Sequence, residues 1–225
     1  MQSSKQPIVL TIAGNDTAGL AGLASDLKTQ QVFGVHSMAA ITAVTAQNDQ
    51  QVISLNAIDV IALKEQLEAV KELPIAMVKV GLVCNIEQAR VIANFIQTSK
   101  LPMVLDPVLA SSSGFEFIKS SDIAAYVDLL LPLSTLVTPN LNETSLLTNL
   151  SVETAEQIEL AAESMLLMGA QNVLIKGGHG KSGTSRSRLC QDYFASEQNN
   201  FWLSSRKSLK RNTRGTGCVL ASSIA

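Results

Sequence analysis

The chain has 225 residues, a net charge of −2, 46% apolar, 16% charged and 4% aromatic residues, which describes a globular protein with an aliphatic core and excludes a disordered chain. So small a net charge provides no basic field for nucleic acid or anionic lipid, and leaves a small molecule as the expected partner. Three scattered cysteines, Cys84, Cys190 and Cys218, without C-x-x-C spacing, argue against a disulfide frame or a zinc site and point to a reducing, cytoplasmic compartment.

No linker or low-complexity block interrupts the chain, so one domain over residues 1–225 is expected. The polar start, Met1 to Gln6, and the short apolar run after it fit neither a signal peptide nor a membrane span. That run, Pro7 to Ala13, is rich in β-branched residues, as in a strand covered on both faces of a parallel sheet, and it ends at Gly14-Asn15-Asp16. Leu23 to Val32 reads as a helix with Leu23, Leu27 and Gln31 at helical spacing. His36 to Thr45 and Gln51 to Ile58 read as strands about a polar turn. Asp59 is a candidate N-cap for a helix whose apolar stripe would be Ile61, Leu63, Leu67 and Val70.

The alternation continues with a strand at Ala76 to Val80, a helix at Ile86 to Ile96, and strands at Met103 to Leu105 and Leu136-Val137. A long helix spans Glu153 to Met168 with Ile158, Ala161, Ala162 and Met165 on one face, and a strand at Asn172 to Ile175 runs into Lys176-Gly177-Gly178-His179. Strands alternating with helices imply βαβ crossovers and an α/β fold with a mostly parallel central sheet and helices on both faces. Arg188 to Phe194 and Phe201 to Ser204 read instead as an antiparallel edge hairpin.

Several polar groups fall just past strand ends: Asn15 and Asp16, Asp106, Asn140 with Glu143, and Lys176. The carboxyl ends of parallel strands share one rim, where open α/β sheets bind ligands. Asp106 and Glu143 suit Mg²⁺, directly or through water, and Lys176 suits a phosphate; the plainer alternatives are turn formation at Asp106-Pro107 and a helix first turn at Glu143. Gly215-Thr216-Gly217-Cys218 precedes an apolar helical run, so its glycines and the first-turn amides would make an anion site, and the helix field would lower the Cys218 thiol pKa; the plainer alternative is a glycine turn capping a core helix, with Cys218 a small buried hydrophobe. Gly180-Lys181-Ser182 resembles the end of a P-loop, but Ile175 occupies the position of its first glycine. His36 and His179 are the only histidines and assemble neither a Ser-His-Asp nor an H-E-x-x-H arrangement.

In order, Thr11-Ile12-Ala13-Gly14-x-Asp16, Ala21-Gly22-x-x-x-Asp26-Leu27-Lys28-Thr29, Ile41-Thr42-Ala43-x-Thr45-Ala46-Gln47-Asn48, Lys79-x-Gly81, Leu105-Asp106-Pro107-Val108, Thr138-Pro139-Asn140-Leu141-x-Glu143, Lys176-Gly177-Gly178-His179 and Gly215-Thr216-Gly217-Cys218 span nearly the whole chain. With these motifs the chain resembles the hydroxymethylpyrimidine/phosphomethylpyrimidine kinases of thiamine biosynthesis, within the ribokinase-like fold. The resemblance implies transfer of the ATP γ-phosphoryl, with Mg²⁺, to 4-amino-5-hydroxymethyl-2-methylpyrimidine and then to its monophosphate. It assigns Gln47 to the ring edge, Gly14, Ala21 and Val108 to the ring walls with Asp16 beside them, and Cys218 to the reacting hydroxyl. It gives the anion hole to the amides of Gly215, Thr216 and Gly217, ATP to Asn140, Lys176 and Gly178, and the metal to Asp106 and Glu143. Kinases of this fold are often dimers through edge strands, so a homodimer is expected.

Departures from the family pattern are Leu20 and Ala24 in the glycine-rich loop and Leu82 near the ring. Relatives continue past the position of Ala225 by a helix or more near the adenine, so a chain ending there is expected to lack that helix and to hold ATP weakly. A pyridoxal kinase of the same fold, and a pyrimidine-binding module without catalysis, are the alternative readings. If Cys218 removes the alcohol's proton, Cys218→Ser is expected to lower kcat by ~10² or more.

Overall fold

A computed structural model describes residues 6–111, 114–177, 189–206 and 215–225. Gly178 and His179, Gly180-Lys181-Ser182, Arg188 and the basic run from 207 to 214 lie outside the described residues. Nine strands form one sheet: β1 (Ile8–Asp16), β2 (His36–Gln47), β3 (Val52–Ala57), β4 (Ile75–Val80), β5 (Met103–Leu105), β6 (Leu136–Val137), β7 (Asn172–Ile175), β8 (Leu189–Ser196) and β9 (Asn200–Arg206). Their spatial order is β3-β2-β1-β4-β5-β6-β7-β8-β9. Pairings from β2 through β7 are parallel, whereas β3, β8 and β9 are antiparallel.

The expected mostly parallel sheet with an antiparallel edge hairpin is therefore observed, and the opposite edge is antiparallel as well. β1 lies between β2 and β4, so the chain leaves it in both directions and opens a crevice at its carboxyl end. Leu10 and Ile12 of β1 are fully buried, as the continuous apolar run requires of a strand covered on both faces.

Helices α1 (Gly22–Val32), α2 (Val60–Val70), α3 (Ile86–Ser99), α4 (Ile123–Leu130), α5 (Leu141–Thr148), α6 (Ala155–Leu167) and α7 (Thr216–Ile224) pack about the sheet. Their starts follow local capping chemistry. Asp59 caps α2 by accepting from Ile61 N–H at 2.8 Å, Asn85 caps α3 by accepting from Gln88 N–H at 2.9 Å, and α5 and α6 each begin with a reciprocal capping box.

Two helical stripes differ from expectation. Ile61 is 65% exposed while Leu63 and Leu67 are buried, because a residue two positions before Leu63 points to the other side of the helix. On α1 the buried face is mostly polar, Ser25, Asp26, Thr29 and Gln30, with only Leu23 apolar. Gln30 donates to Thr11 Oγ1 of β1 at 2.8 Å, so this helix meets the sheet through hydrogen bonds that an apolar pattern does not reveal. α4 has no counterpart in the sequence reading, although Ile123, Tyr126, Val127 and Leu130 are its buried residues at i, i+3, i+4 and i+7. No helix among the described residues is long and apolar enough to cross a membrane.

Candidate active site

The rim at the carboxyl ends of the parallel strands gathers most of the expected residues. Lys176, just past β7, donates to Asp106 Oδ1 at 2.9 Å just past β5. Lys176 is held in place by its own backbone, which donates to Pro139 O at 2.8 Å and bridges to Asn140 past β6. Thr138 Oγ1 also donates to Asp106 Oδ1, at 3.4 Å. A Cβ on Gly217 would stand 3.0 Å from Lys176 Nζ and 3.9 Å from Asp106 Oδ1, so the first turn of α7 lies directly over this ion pair.

The charges there are mutually stabilised. Burial opposes ionisation of Asp106, but Lys176 and Lys79 outweigh it and hold the carboxyl below its ordinary range. Burial likewise opposes the Lys176 charge, yet Asp106 and Glu143 hold its pKa above the ordinary value. Glu143 belongs to the α5 capping box, its Oε2 accepting from Asn140 N–H at 2.7 Å while Asn140 Oδ1 accepts from Glu143 N–H at 2.9 Å. Burial pushes the Glu143 carboxyl up to about 7; Lys176 counters this and Asp106 adds to it.

The β1 loop forms the other wall. Asp16 is almost fully buried, and its carboxylate accepts from the N–H groups of Ala18 at 2.9 Å, Leu20 at 3.2 Å and Ala21 at 2.9 Å. Its carboxylate thus shapes the loop that carries Ala21, where the sequence reading set it beside the ring. That loop abuts the anion site: Gly215 has φ 75°, and a Cβ there would fall 2.0 Å from Leu20 O. Only glycine fits this contact.

Gly14 lies against Leu82, whose Cδ2 is 2.5 Å from where a Gly14 Cβ would be. Leu82 forms a small apolar cluster with Ala43 and Phe117, and Val108 packs against it. Gly14 and Val108 therefore both lie against this cluster. Phe117 is an addition that the sequence reading missed, since it follows a polar turn with no periodic pattern. Gln47 ends β2 on the same rim, in register with Val52 of β3, on the opposite side of β1 from Asp106 and Lys176.

Cys218 corrects one expectation. The Gly22 N–H donates toward its sulfur and Lys79 favours the thiolate, but burial, reinforced by Asp106 and Asp26, pushes the thiol up to about 11. The helix field was expected to lower it; surrounding the sulfur with protein on most sides, beside two carboxylates, overrides a partial charge at the helix start. Cys218 is a thiol at neutral pH. We therefore expect Cys218→Ser to change kcat by less than ~10-fold, a prediction checked by steady-state kinetics at saturating substrates.

Comparison with known proteins gives the family. Residues 16–225 match the family described as phosphomethylpyrimidine kinase. The chain belongs to that family. It is 39% identical, over 100% of its own length and 83% of the relative's, to the hydroxymethylpyrimidine/phosphomethylpyrimidine kinase of Haemophilus influenzae. Among solved structures, the phosphomethylpyrimidine kinase of Clostridium difficile superposes with a TM-score of 0.80 at 28% identity, covering 97% of each chain. The pyridoxal kinase of Staphylococcus aureus in complex with AMP-PCP and pyridoxal superposes with a TM-score of 0.85 at 28% identity, covering 96% of this chain and 78% of that one.

Proposed function

We propose that this protein transfers the γ-phosphoryl group of ATP to the hydroxymethyl group of 4-amino-5-hydroxymethyl-2-methylpyrimidine, and then a second phosphoryl group to the monophosphate. The observation that carries the reading is the seating of Gly217 over the Lys176–Asp106 ion pair at the start of α7. Family membership supplies the reaction class, and the curated relative supplies the substrate.

Phosphoryl transfer asks a protein mainly for positioning and for fixed charge around the moving group. The α7 amides from Gly215 to Cys218 would receive the equatorial oxygens, and Lys176 would supply a cation beside them. Asn140 and Gly178 would complete the nucleotide side. Gln47 would pair its amide with the ring nitrogen and amino group, with Gly14, Ala21 and Val108 around the ring and Asp16 holding the loop in shape.

As the alcohol oxygen bonds to the γ-phosphorus, the bond to the bridging oxygen breaks and ADP departs. In a loose transition state the alcohol proton leaves late, to an oxygen of the transferred phosphoryl group and from there to water, which suits a neutral Cys218 thiol that orients the alcohol oxygen without removing its proton.

Among the described residues no three His, Cys, Asp or Glu side chains converge as a metal-holding group. Two carboxylates beside Lys176 instead fit Mg²⁺ carried mainly by nucleotide phosphates and water, which Asp106 and Glu143 would attend. Such an ion neutralises phosphate charge. The reading carries with it a cytoplasmic location and a homodimer formed through edge strands.

The test is product analysis by mass with ATP, Mg²⁺ and equimolar pyrimidine alcohol and pyridoxal. The expected products are the pyrimidine mono- and diphosphates. Pyridoxal phosphate alone would establish the second reading, which the S. aureus superposition favours, and absence of both products despite bound pyrimidine would leave a binding module.

A further inference from the structure

Beneath the rim lies a charged cluster to which the reading above assigns no part. Lys79 of β4 donates to Asp26 Oδ2 of α1 at 2.8 Å, and both side chains are fully shielded from solvent. Ser222 of α7 donates to the other oxygen, Asp26 Oδ1, at 2.7 Å. Three elements that are distant in sequence are thereby tied at one carboxylate.

Two of them carry the walls of the site. α1 begins at Gly22, whose N–H meets the Cys218 sulfur, and α7 begins with the amides at Gly215 to Cys218. The ammonium also reaches the rim: Lys79 Nζ lies 2.8 Å from where a Gly81 Cβ would be, just beyond the end of β4. On Cys218 its charge outweighs the opposing charge of Asp26, and it also acts on Asp106.

A wholly buried ion pair is weak evidence for stability, because desolvation of both charges offsets much of their attraction; apolar residues would hold two helices on a sheet as well. Its position calls for another account. We propose that the Asp26–Lys79 pair, latched to α7 through Ser222, is a positioning and electrostatic element of phosphoryl transfer: it seats the α7 amides against the α1 loop and keeps a fixed positive charge beneath the transferring group. Asp26 acts through Lys79 and Ser222, and Lys79 acts across the protein interior. The inference rests on the kinase reading for its readout.

The test compares the unaltered protein with Asp26→Asn/Lys79→Met, a neutral pair of similar shape, and with Ser222→Ala, which keeps both charges and removes the latch. Folding is followed by circular dichroism and thermal unfolding, ATP affinity by calorimetry with AMP-PCP, and turnover by steady-state kinetics. The double variant is expected to fold, to bind AMP-PCP within ~5-fold of the unaltered protein, and to lose ~10²-fold in kcat, because a fixed charge acting on the transition state is missing.

A folded double variant with kcat within ~2-fold of the unaltered protein would overturn the proposal and leave the pair a packing feature. If the double variant does not fold, Ser222→Ala decides: a ~10-fold lower kcat with KM values within ~2-fold supports the latch, and an unchanged kcat overturns it. An unaltered protein that phosphorylates neither the pyrimidine alcohol nor pyridoxal defeats the kinase reading itself, an outcome distinct from either of these.

Discussion

Gly215→Ala lowers kcat by ~10²- to 10³-fold, the range found when a preorganised donor to a developing anion is lost. The added methyl would fall 2.0 Å from Leu20 O, a backbone atom that cannot rotate away. The residue also has φ 75°, where a side chain carries a left-handed penalty of about 1–2 kcal/mol. The chain can relieve the overlap only by moving the start of α7 away from the loop that Asp16 organises.

Such a shift misplaces the amides while leaving the core intact. Thermal unfolding is therefore expected to fall by much less than activity does. Gly34→Ala is the control: its φ is 73° but nothing lies within 4 Å of the added methyl. It should show the backbone penalty in thermal unfolding and unchanged kcat. Equal kcat losses in the two variants would show that strain, and not the Leu20 contact, is responsible.

Lys176→Met is expected to lower kcat/KM by ~10²-fold or more, since it removes the cation beside Gly217 and leaves Asp106 with Lys79 as its remaining cationic neighbour. The stability effect has a defined pH window. Asp106 has a folded pKa below 3.8, so its pairing contributes stability above that value, which is lost as pH falls through the folded pKa. Lys176 has a folded pKa above 10.5, so its share is present below that value and is lost as pH rises through the folded pKa.

The gap in unfolding temperature between the two proteins should be widest between these limits and should close in acid. Lys176 is only 15% exposed at its side chain, so solvent screens the pair little and the gap should persist in high salt. A gap that vanishes with salt would mark the pair as a surface contact.

Much of the site was legible because its residues fall at strand ends. Asp106, Asn140 and Lys176 each follow an apolar run, and parallel strands bring their carboxyl ends to one rim whatever the intervening helices contain. The Gly215 to Cys218 stretch was legible for a related reason, since glycines before a helical run mark where backbone amides are left open. Phe117 was not, because it follows a turn and joins Ala43 and Leu82 only through tertiary packing. The Cys218 pKa also escaped the reading: a helix start is visible in sequence, whereas the burial and the carboxylates that override it are not.

Period, capping and turn chemistry are local properties of the chain, so the alternation of strands and helices and the loops that would carry polar groups could be read along it, while the ordered motifs carried the resemblance to pyrimidine kinases. The tertiary structure alone decided how charges are paired: that Asp16 serves its own loop, that Asp26 binds Lys79 and Ser222, and that Lys176 meets Asp106 beneath Gly217. Those partners stand up to 196 residues apart. Ionic and hydrogen-bonding partners so distant leave no periodic trace, since their pairing follows from how the strands are ordered in the sheet and not from any spacing along the chain.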